Sequence, residues 1–320
     1  MLFRSQFTDE NQEDLIGTQT LYSYDEHGNV KQLAQVLPKL GLKTVQYEYD
    51  LLTGNVNQVT YQKDQDDQFI HRYLYDSDNR LKNVYTSRDN YTWKKEALYD
   101  YYNHGPLREM QLGFQPTPIE KIQYKYTLQG WIKRVSTEEN TFEYTLHYFN
   151  GDYHDNGGAL PTNNTGVEAK SLYNGNIAAM TTRIAHFDGA NGGNTAIYQY
   201  DQLNRLKKAN SPAFNTEYHY DANGNIKSLN RDNLTKPIKY HYNYNSNNKL
   251  INNRLNKVSD GLTIDYQYDK IGNLTESTEN GITDNITWTV YGKVAQVKKT
   301  NGILITYQYD GAGNRIQKTV

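Results

Sequence analysis

The sequence of 320 residues contains no cysteine. Disulfide bonds, cysteine-ligated metals and cysteine nucleophiles are therefore excluded. The 34 Lys and Arg residues are balanced by 36 Asp and Glu residues, which leaves a formal net charge of −2. No basic run stands out, so the concentrated positive charge that nucleic-acid binding requires is missing, and no nucleic-acid partner is expected.

Long apolar runs are also lacking. Only 36% of the residues are hydrophobic, and no stretch approaches the roughly 18 to 20 apolar residues that cross a bilayer. The segment MLFRSQFTDENQEDLI at residues 1–16 has no apolar core of a signal peptide. The sequence therefore predicts no membrane span and no signal peptide within this chain.

Sequence signatures of common catalytic sites are missing as well. There is no Gly-x-Ser-x-Gly nucleophile elbow and no glycine-rich phosphate loop. The chain is accordingly predicted not to be an enzyme and to need no cofactor.

Tyrosine is abundant, with 30 residues against 8 Phe and 3 Trp. Most of these tyrosines lie in a repeated motif, Tyr-x-Tyr-Asp followed by a Gly-Asn or Asn-Arg turn. The clear copies are Tyr22, Tyr24, Asp25 and Gly28; Tyr47, Tyr49, Asp50 and Gly54; Tyr73, Tyr75 and Asp76; Tyr198, Tyr200 and Asp201; Tyr218, Tyr220, Asp221 and Gly224; Tyr266, Tyr268, Asp269 and Gly272; and Tyr307, Tyr309, Asp310 and Gly313. Weaker copies lie at 124–126, 240–242 and 288–292. Self-similarity of this kind indicates stacked supersecondary units.

Each copy has the pattern of a β-hairpin. Apolar and tyrosine side chains alternate with polar ones before the turn, as in the strand that leads to Tyr309. Asp310 can accept hydrogen bonds from the backbone of its own turn, and Gly313 can adopt the positive φ that reverses the chain.

After each turn, two apolar residues lie three positions apart, as in Val30 with Leu33 and Ile226 with Leu229. This spacing breaks strict alternation. Either a β-bulge lies between them or the strand buries residues on both faces, and we favour the bulge.

The repeats predict one continuous domain rather than two globular ones. We divide it into a lead-in at 1–17, repeats at 18–148, a Gly- and Asn-rich insertion at 149–195, and repeats at 196–320. Long insertions in repeat arrays usually lie on one surface and are where function is added.

The Tyr-x-Tyr-Asp and Gly-Asn-Arg motifs resemble the tyrosine-aspartate (YD) repeat of the RHS proteins, which are large bacterial polymorphic toxins, and of their animal relatives, the teneurins. The resemblance covers nearly the whole chain and implies an all-β solenoid of stacked antiparallel hairpins that coils into a hollow shell or a tube-like spiral. It further implies a secreted or cell-surface location in bacteria. The expected partner is the remainder of a longer RHS protein or its toxin cargo.

In RHS toxins a core beyond the repeats contains aspartates that cut off a C-terminal toxin and leave it inside the shell. The family's core begins just past a motif like that at 311–315, and this sequence ends at Val320, so no such aspartates are assigned here. The expected function is a non-catalytic structural shell segment that encloses or displays a polypeptide.

The alternative is an extracellular adhesin or glycan-binding module, with Trp93, Trp131 and Trp288 as candidate sugar contacts. Self-association through open sheet edges, giving a filament or tube, is a variant of this alternative.

The repeated aspartates are interpreted as turn residues rather than acid-base catalysts, because an active site is a singular feature. One weak metal-site candidate comprises Asp152, His154 and Asp155, for which a solvated loop is the favoured interpretation.

Overall fold

The structure is a computed structural model. It describes residues 3–5, 19–37, 40–138, 141–153, 159–163, 166–185, 193–232, 236–259, 263–279, 282–310 and 312–320. The chain divides into two compact units, Met1–Glu143 and Tyr144–Val320. All the elements named below are β-strands, and the pairings between them in the described part of the chain are antiparallel, which confirms the predicted all-β architecture.

In the first unit, each strand from β1 to β10 pairs with the strand that follows it in sequence. The strands are β1 (Phe3–Ser5), β2 (Gln19–Tyr24), β3 (Val30–Leu37), β4 (Gly41–Tyr49), β5 (Val56–Tyr61), β6 (Phe69–Tyr75), β7 (Leu81–Ser87), β8 (Lys94–Tyr101), β9 (Leu107–Phe114), β10 (Pro118–Tyr126) and β11 (Ile132–Thr137). Within the predicted lead-in at 1–17, residues 3–5 form β1, and the others lie outside the described residues.

Strand β12 (Phe142–His147) follows, and the next strand begins only at Ala179. The predicted insertion at 149–195 therefore contains a long segment in which the described residues show only an isolated bridge between Thr162 and Glu168.

The second unit repeats the consecutive pairing from β13 to β25. Its strands are β13 (Ala179–Ile184), β14 (Asn194–Tyr200), β15 (Leu206–Asn210), β16 (Asn215–Tyr220), β17 (Ile226–Arg231), β18 (Ile238–Tyr244), β19 (Leu250–Ser259), β20 (Thr263–Tyr268), β21 (Leu274–Glu279), β22 (Ile282–Trp288), β23 (Val294–Lys298), β24 (Leu304–Tyr309) and β25 (Arg315–Thr319).

The predicted bulge lies at the start of the outgoing strand. Tyr24 pairs with Val30, but Ser23 pairs with Gln32, so Lys31 is an extra residue on the outgoing strand. The same shift recurs in the other YD hairpins, for example between Gln308 and Tyr309 in the last one. The three-residue apolar spacing is thus explained by a bulge that returns both apolar residues to one face.

The turns between the paired strands share one backbone geometry. In the first copy the Gly28 amide donates to the Asp25 carbonyl at 3.2 Å, and Gly28 has a φ of +88°. Where the sequence has no glycine at this position, asparagine takes the positive φ, as at Asn79 (+61°) and Asn204 (+60°). Asparagine is among the few side chains that tolerate this region, so these copies keep the same turn.

Few side chains in either unit are completely buried. The largest are Ile70 in the first unit and Ile197 in the second. The paired tyrosines of the motif are mostly half-buried. The rings stack in the pairs Tyr22–Tyr24, Tyr47–Tyr49 and Tyr218–Tyr220, with centroids 6.3 to 6.5 Å apart. Since a half-buried tyrosine contributes large apolar area and keeps a polar hydroxyl, tyrosine supplies most of the packing in a sheet with little aliphatic core. Among the residues that the structure describes, no helix has the length and apolar character of a membrane span.

Candidate functional site

The feature that recurs through both units is a hydrogen bond from the second aromatic residue of one repeat to the backbone of the repeat before it. The Tyr49 hydroxyl donates to the Val30 carbonyl at 2.9 Å, and the Tyr220 hydroxyl donates to the Leu206 carbonyl at 2.7 Å. Among the described residues, the others that make this bond are Tyr75 to Val56, Tyr101 to Leu81, Tyr200 to Ile177, Tyr242 to Ile226, Trp288 to Leu274 and Tyr309 to Val294. We call these contacts the aromatic–carbonyl bonds.

Except in the Tyr200 bond, the accepting carbonyl belongs to the residue just before a bulge, as Val30 does in the first copy. Pairing between β3 and β4 begins at Gln32 with Gln46, so Val30 has no paired residue on β4. The hydroxyl of Tyr49, at the far end of β4, takes the Val30 carbonyl instead. A half-buried carbonyl without a partner would destabilise the sheet, so the bond satisfies the backbone and joins two repeats at once.

Trp288 shows that the second aromatic position of the motif requires a hydrogen-bond donor and not specifically a phenol. It stands where other copies have the second tyrosine, and its indole Nε1–H donates to the Leu274 carbonyl at 2.7 Å. Both side chains combine a broad apolar ring with one polar hydrogen at the far edge.

Burial raises the pKa of three of the tyrosines that make this bond. The phenol pKa of Tyr49, Tyr75 and Tyr220 lies above its ordinary value near 10, with desolvation as the largest cause. The phenols therefore stay protonated at neutral pH and remain hydrogen-bond donors.

The aspartate of each motif organises the turn. Asp76 Oδ1 accepts the Asp78 and Arg80 amides, both at 2.9 Å. The Arg80 amide is the largest cause that lowers the Asp76 carboxyl pKa. For Asp221, burial acts to raise the pKa, but the hydrogen bonds from Asn225 and the turn amides outweigh it and the pKa is lowered.

The other motif aspartates also accept amides of their own turns. These are Asp25, Asp50, Asp201, Asp269 and Asp310. In the weaker copies Thr127, Asn245 and Thr289 accept the equivalent amide through a side-chain oxygen. The motif carboxylates therefore stabilise the turns through hydrogen bonds to the turn backbone, which is a structural role.

Neighbouring turns are connected through the Asn-Arg pair. Arg205 forms an ion pair with Asp201 at 2.6 Å, donates to the Asp221 carbonyl of the next turn at 2.9 Å and lies over the Tyr220 ring at 4.7 Å. Asn204 accepts from Asn174 at 2.7 Å. One Asn-Arg pair therefore spans three successive turns.

The three tryptophans lie in three different hairpins. Trp93 lies under the Arg72 guanidinium at 3.7 Å, and the Trp131 amide donates to Thr127 Oγ1 at 3.2 Å. All three are half-buried rather than exposed. Trp93 and Trp131 belong to the first unit and Trp288 belongs to the second, and their proposed sugar contacts stay a prediction.

For the metal-site candidate, only Asp152 is described. It is buried, and its Oδ2 accepts the Tyr148 amide at 2.8 Å. His154 and Asp155 lie outside the described residues, so this cluster stays a prediction too. Within the part of the chain that is described, no group of three potential metal ligands occurs.

One complete repeat was missed at the sequence level. The β8–β9 hairpin carries Tyr99 and Tyr101, a bulge between Asp100 and Tyr101, and the Tyr101 aromatic–carbonyl bond. Its motif has Tyr102 where other copies have aspartate. The three-residue spacing of Leu107 and Met110 after Gly105 was the available signal.

Replacing Tyr75 by phenylalanine tests the aromatic–carbonyl bond. Tyr75→Phe removes the donor to the Val56 carbonyl and is expected to lower the free energy of unfolding by about 1 kcal/mol. The matched control is Tyr73→Phe, because the Tyr73 hydroxyl makes no hydrogen bond among the described residues. Urea unfolding of both variants measures the difference, and equal stability of the two would contradict the assignment.

Alkaline pH provides a second test. Because burial raises the folded-state pKa of Tyr75 above the unfolded value, its contribution is fully present below the unfolded pKa of about 10 and is lost as pH rises through the folded pKa. Stability should therefore fall above about pH 10. Urea midpoints across this range should decline less in Tyr75→Phe than in the parent protein, and a parallel decline would argue against a role for this phenol.

Comparison with known protein families finds a match to a family built from the same repeat. A family model described as the teneurin YD-shell matches residues 173–320. A search of the curated proteins finds no match.

Three similar solved structures contain Tc toxin components. TcdB2–TccC3 without its hypervariable C-terminal region is 12% identical with a TM-score of 0.37, over 95% of this chain and 20% of that chain. TcdB2–TccC3 is 13% identical with a TM-score of 0.31, over 94% and 24%. A Photorhabdus luminescens Tc holotoxin pore with a substituted TccC3 is 12% identical with a TM-score of 0.29, over 94% and 23%.

This chain spans between a fifth and a quarter of the length of those three solved chains. Over residues 173–320, the match to the teneurin YD-shell model, together with the YD motifs and bulged hairpins there, makes this part of the chain similar to the RHS/YD-repeat family.

Proposed function

We propose that the chain is a non-catalytic wall segment of a longer RHS-type protein that is secreted or displayed on the cell surface, and that this wall encloses or displays a polypeptide. The coarser statement, a structural shell-like RHS segment, rests on the YD-shell match. The finer statement is supported by how the repeats are built.

The observation that carries the proposal is the aromatic–carbonyl bond. A wall must resist opening between its repeats, and this bond connects consecutive hairpins of each unit at the bulge where strand pairing is interrupted. The motif aspartates accept the backbone amides of their own turns, so the polar groups of the repeat stabilise the sheet. Cargo would then be contained sterically rather than bound at a discrete site.

Protease protection of a passenger tests the proposal. An unstructured passenger is fused to the C-terminus of the full chain, and the same passenger and linker are fused to an unrelated folded protein for comparison. We expect slower digestion of the passenger on the repeat chain. Digestion at the rate of the comparison fusion would contradict a wall function.

Two triple variants connect protection to the aromatic–carbonyl bonds. The first removes three donors and is Tyr75→Phe, Tyr101→Phe and Tyr220→Phe. The second changes the adjacent first tyrosines and is Tyr73→Phe, Tyr99→Phe and Tyr218→Phe. Only the first should accelerate digestion of the passenger, provided that circular dichroism shows both variants folded at the assay temperature. Equal protection of the passenger in both variants would contradict the claim that the aromatic–carbonyl bonds keep the wall closed.

A further inference from the structure

The turns of this chain contain several asparagines that are followed directly by glycine. Within the described residues these Asn-Gly pairs are Asn150-Gly151, Asn174-Gly175, Asn223-Gly224 and Asn301-Gly302. Because glycine has no side chain, its backbone nitrogen can closely approach the carboxamide of the residue before it. The asparagine of every one of these pairs is exposed. Their reactivity therefore depends on how each pair is hydrogen-bonded.

The reaction open to such a pair is loss of the side-chain amide. The glycine nitrogen attacks the asparagine Cγ, the Cγ–Nδ2 bond breaks, and ammonia leaves with the proton that the glycine nitrogen gives up. The resulting cyclic imide is opened by water to aspartate or to isoaspartate. Two conditions favour the first step: the glycine amide is free to attack, and the carboxamide lies against its own backbone.

The first condition separates the pairs into two groups. The Gly224 and Gly302 amides donate to carbonyls of their own turns, at 3.2 and 3.0 Å. The Gly151 and Gly175 amides make no hydrogen bond among the described residues. Attack by Gly224 or Gly302 must first break a backbone hydrogen bond, which slows the reaction about fivefold if the bond has an ordinary net strength.

The second condition divides the pairs differently. Asn174 Oδ1 accepts the Asn176 amide at 3.1 Å, which folds the carboxamide back along its own chain and across the Gly175 amide. Asn301 Oδ1 likewise accepts an amide two residues further on, at 3.2 Å. Asn150 Oδ1 instead accepts an amide ten residues away, at 2.9 Å, so its carboxamide is drawn away from its own backbone.

Only one of these pairs meets both conditions. Asn301 has the favourable carboxamide but a bonded glycine amide, and Asn150 has the free glycine amide but a carboxamide held elsewhere. Asn223 meets neither, because its Nδ2 donates to Asn253 of another turn at 3.2 Å. We propose that Asn174 is a site of spontaneous deamidation, which converts it to aspartate and isoaspartate with water as the only co-reactant. This proposal is independent of the wall function.

The modification alters a contact between two turns. Asn174 Nδ2 donates to Asn204 Oδ1 at 2.7 Å, which connects the 173–177 turn to the 201–205 turn. The carboxylate of the product has no donor for this acceptor, and isoaspartate also adds a methylene to the main chain. Ile177, in the same turn, accepts the Tyr200 hydroxyl at 3.0 Å. Deamidation therefore loosens the insertion from the repeat that follows it, next to an aromatic–carbonyl bond.

Incubation of the folded full chain in heavy-oxygen water tests the proposal. Each deamidation event incorporates one oxygen from the solvent, so peptide mapping by mass spectrometry measures the rate at every Asn-Gly pair of the same sample. We expect Asn174 to react fastest, about fivefold or more faster than Asn301, because the Gly302 amide must first break its bond. Equal rates, or a faster reaction at Asn150 or Asn301, would overturn the proposal.

The same measurement on the urea-unfolded chain is the control for sequence effects. The hydrogen bonds that distinguish the pairs are absent there, so the rates should converge. If Asn174 kept its advantage in urea, the neighbouring sequence rather than the folded turn would be the cause, and the proposed structural basis would be wrong.

A matched pair of variants tests the consequence for the fold. Asn174→Asp reproduces the aspartate product, and Asn301→Asp makes the same charge change at an asparagine whose Nδ2 makes no hydrogen bond among the described residues. Only Asn174→Asp should lower the urea midpoint and accelerate amide exchange at β14, which carries Tyr200. Equal midpoints and equal exchange in the two variants would contradict the loosening.

Discussion

The structure depends on how a bulged sheet satisfies its backbone. Each YD hairpin starts its outgoing strand with a bulge, and pairing to the next strand begins only two residues later. The carbonyl before the bulge would be left without a partner if the next repeat did not supply a hydroxyl or an indole N–H. Because the donor and the acceptor belong to different repeats, a hairpin is completed only by its neighbour, as expected for repeat proteins whose units do not fold alone.

This constraint also explains the composition. Tyrosine is used 30 times because it provides ring area for a sheet with few fully buried aliphatic side chains and, at the second position of the motif, a hydroxyl at the correct distance. Phenylalanine would supply the area without the donor. Aspartate recurs because its carboxylate accepts the amides of its own turn, so its repetition reflects the geometry of the turn rather than catalysis.

Much of the fold could be predicted from the sequence, because its signals are local. Alternation before Tyr309, the turn residues, and the three-residue spacing of Val30 and Leu33 are readable within ten residues. The aromatic–carbonyl bond was not predicted, since Tyr49 and Val30 are 19 positions apart and no local pattern connects them.

The function proposed here requires repeats that are coupled to one another. Native-state hydrogen exchange of Tyr220→Phe, with Tyr218→Phe as the comparison, measures this coupling most directly. The account predicts that losing the Tyr220 hydroxyl accelerates amide exchange both in its own hairpin, β16–β17, and in β15, which carries the accepting Leu206 carbonyl. Tyr218→Phe should leave exchange nearly unchanged. Acceleration confined to β16–β17, or equal effects of the two substitutions, would contradict the claim that each repeat is completed by its neighbour.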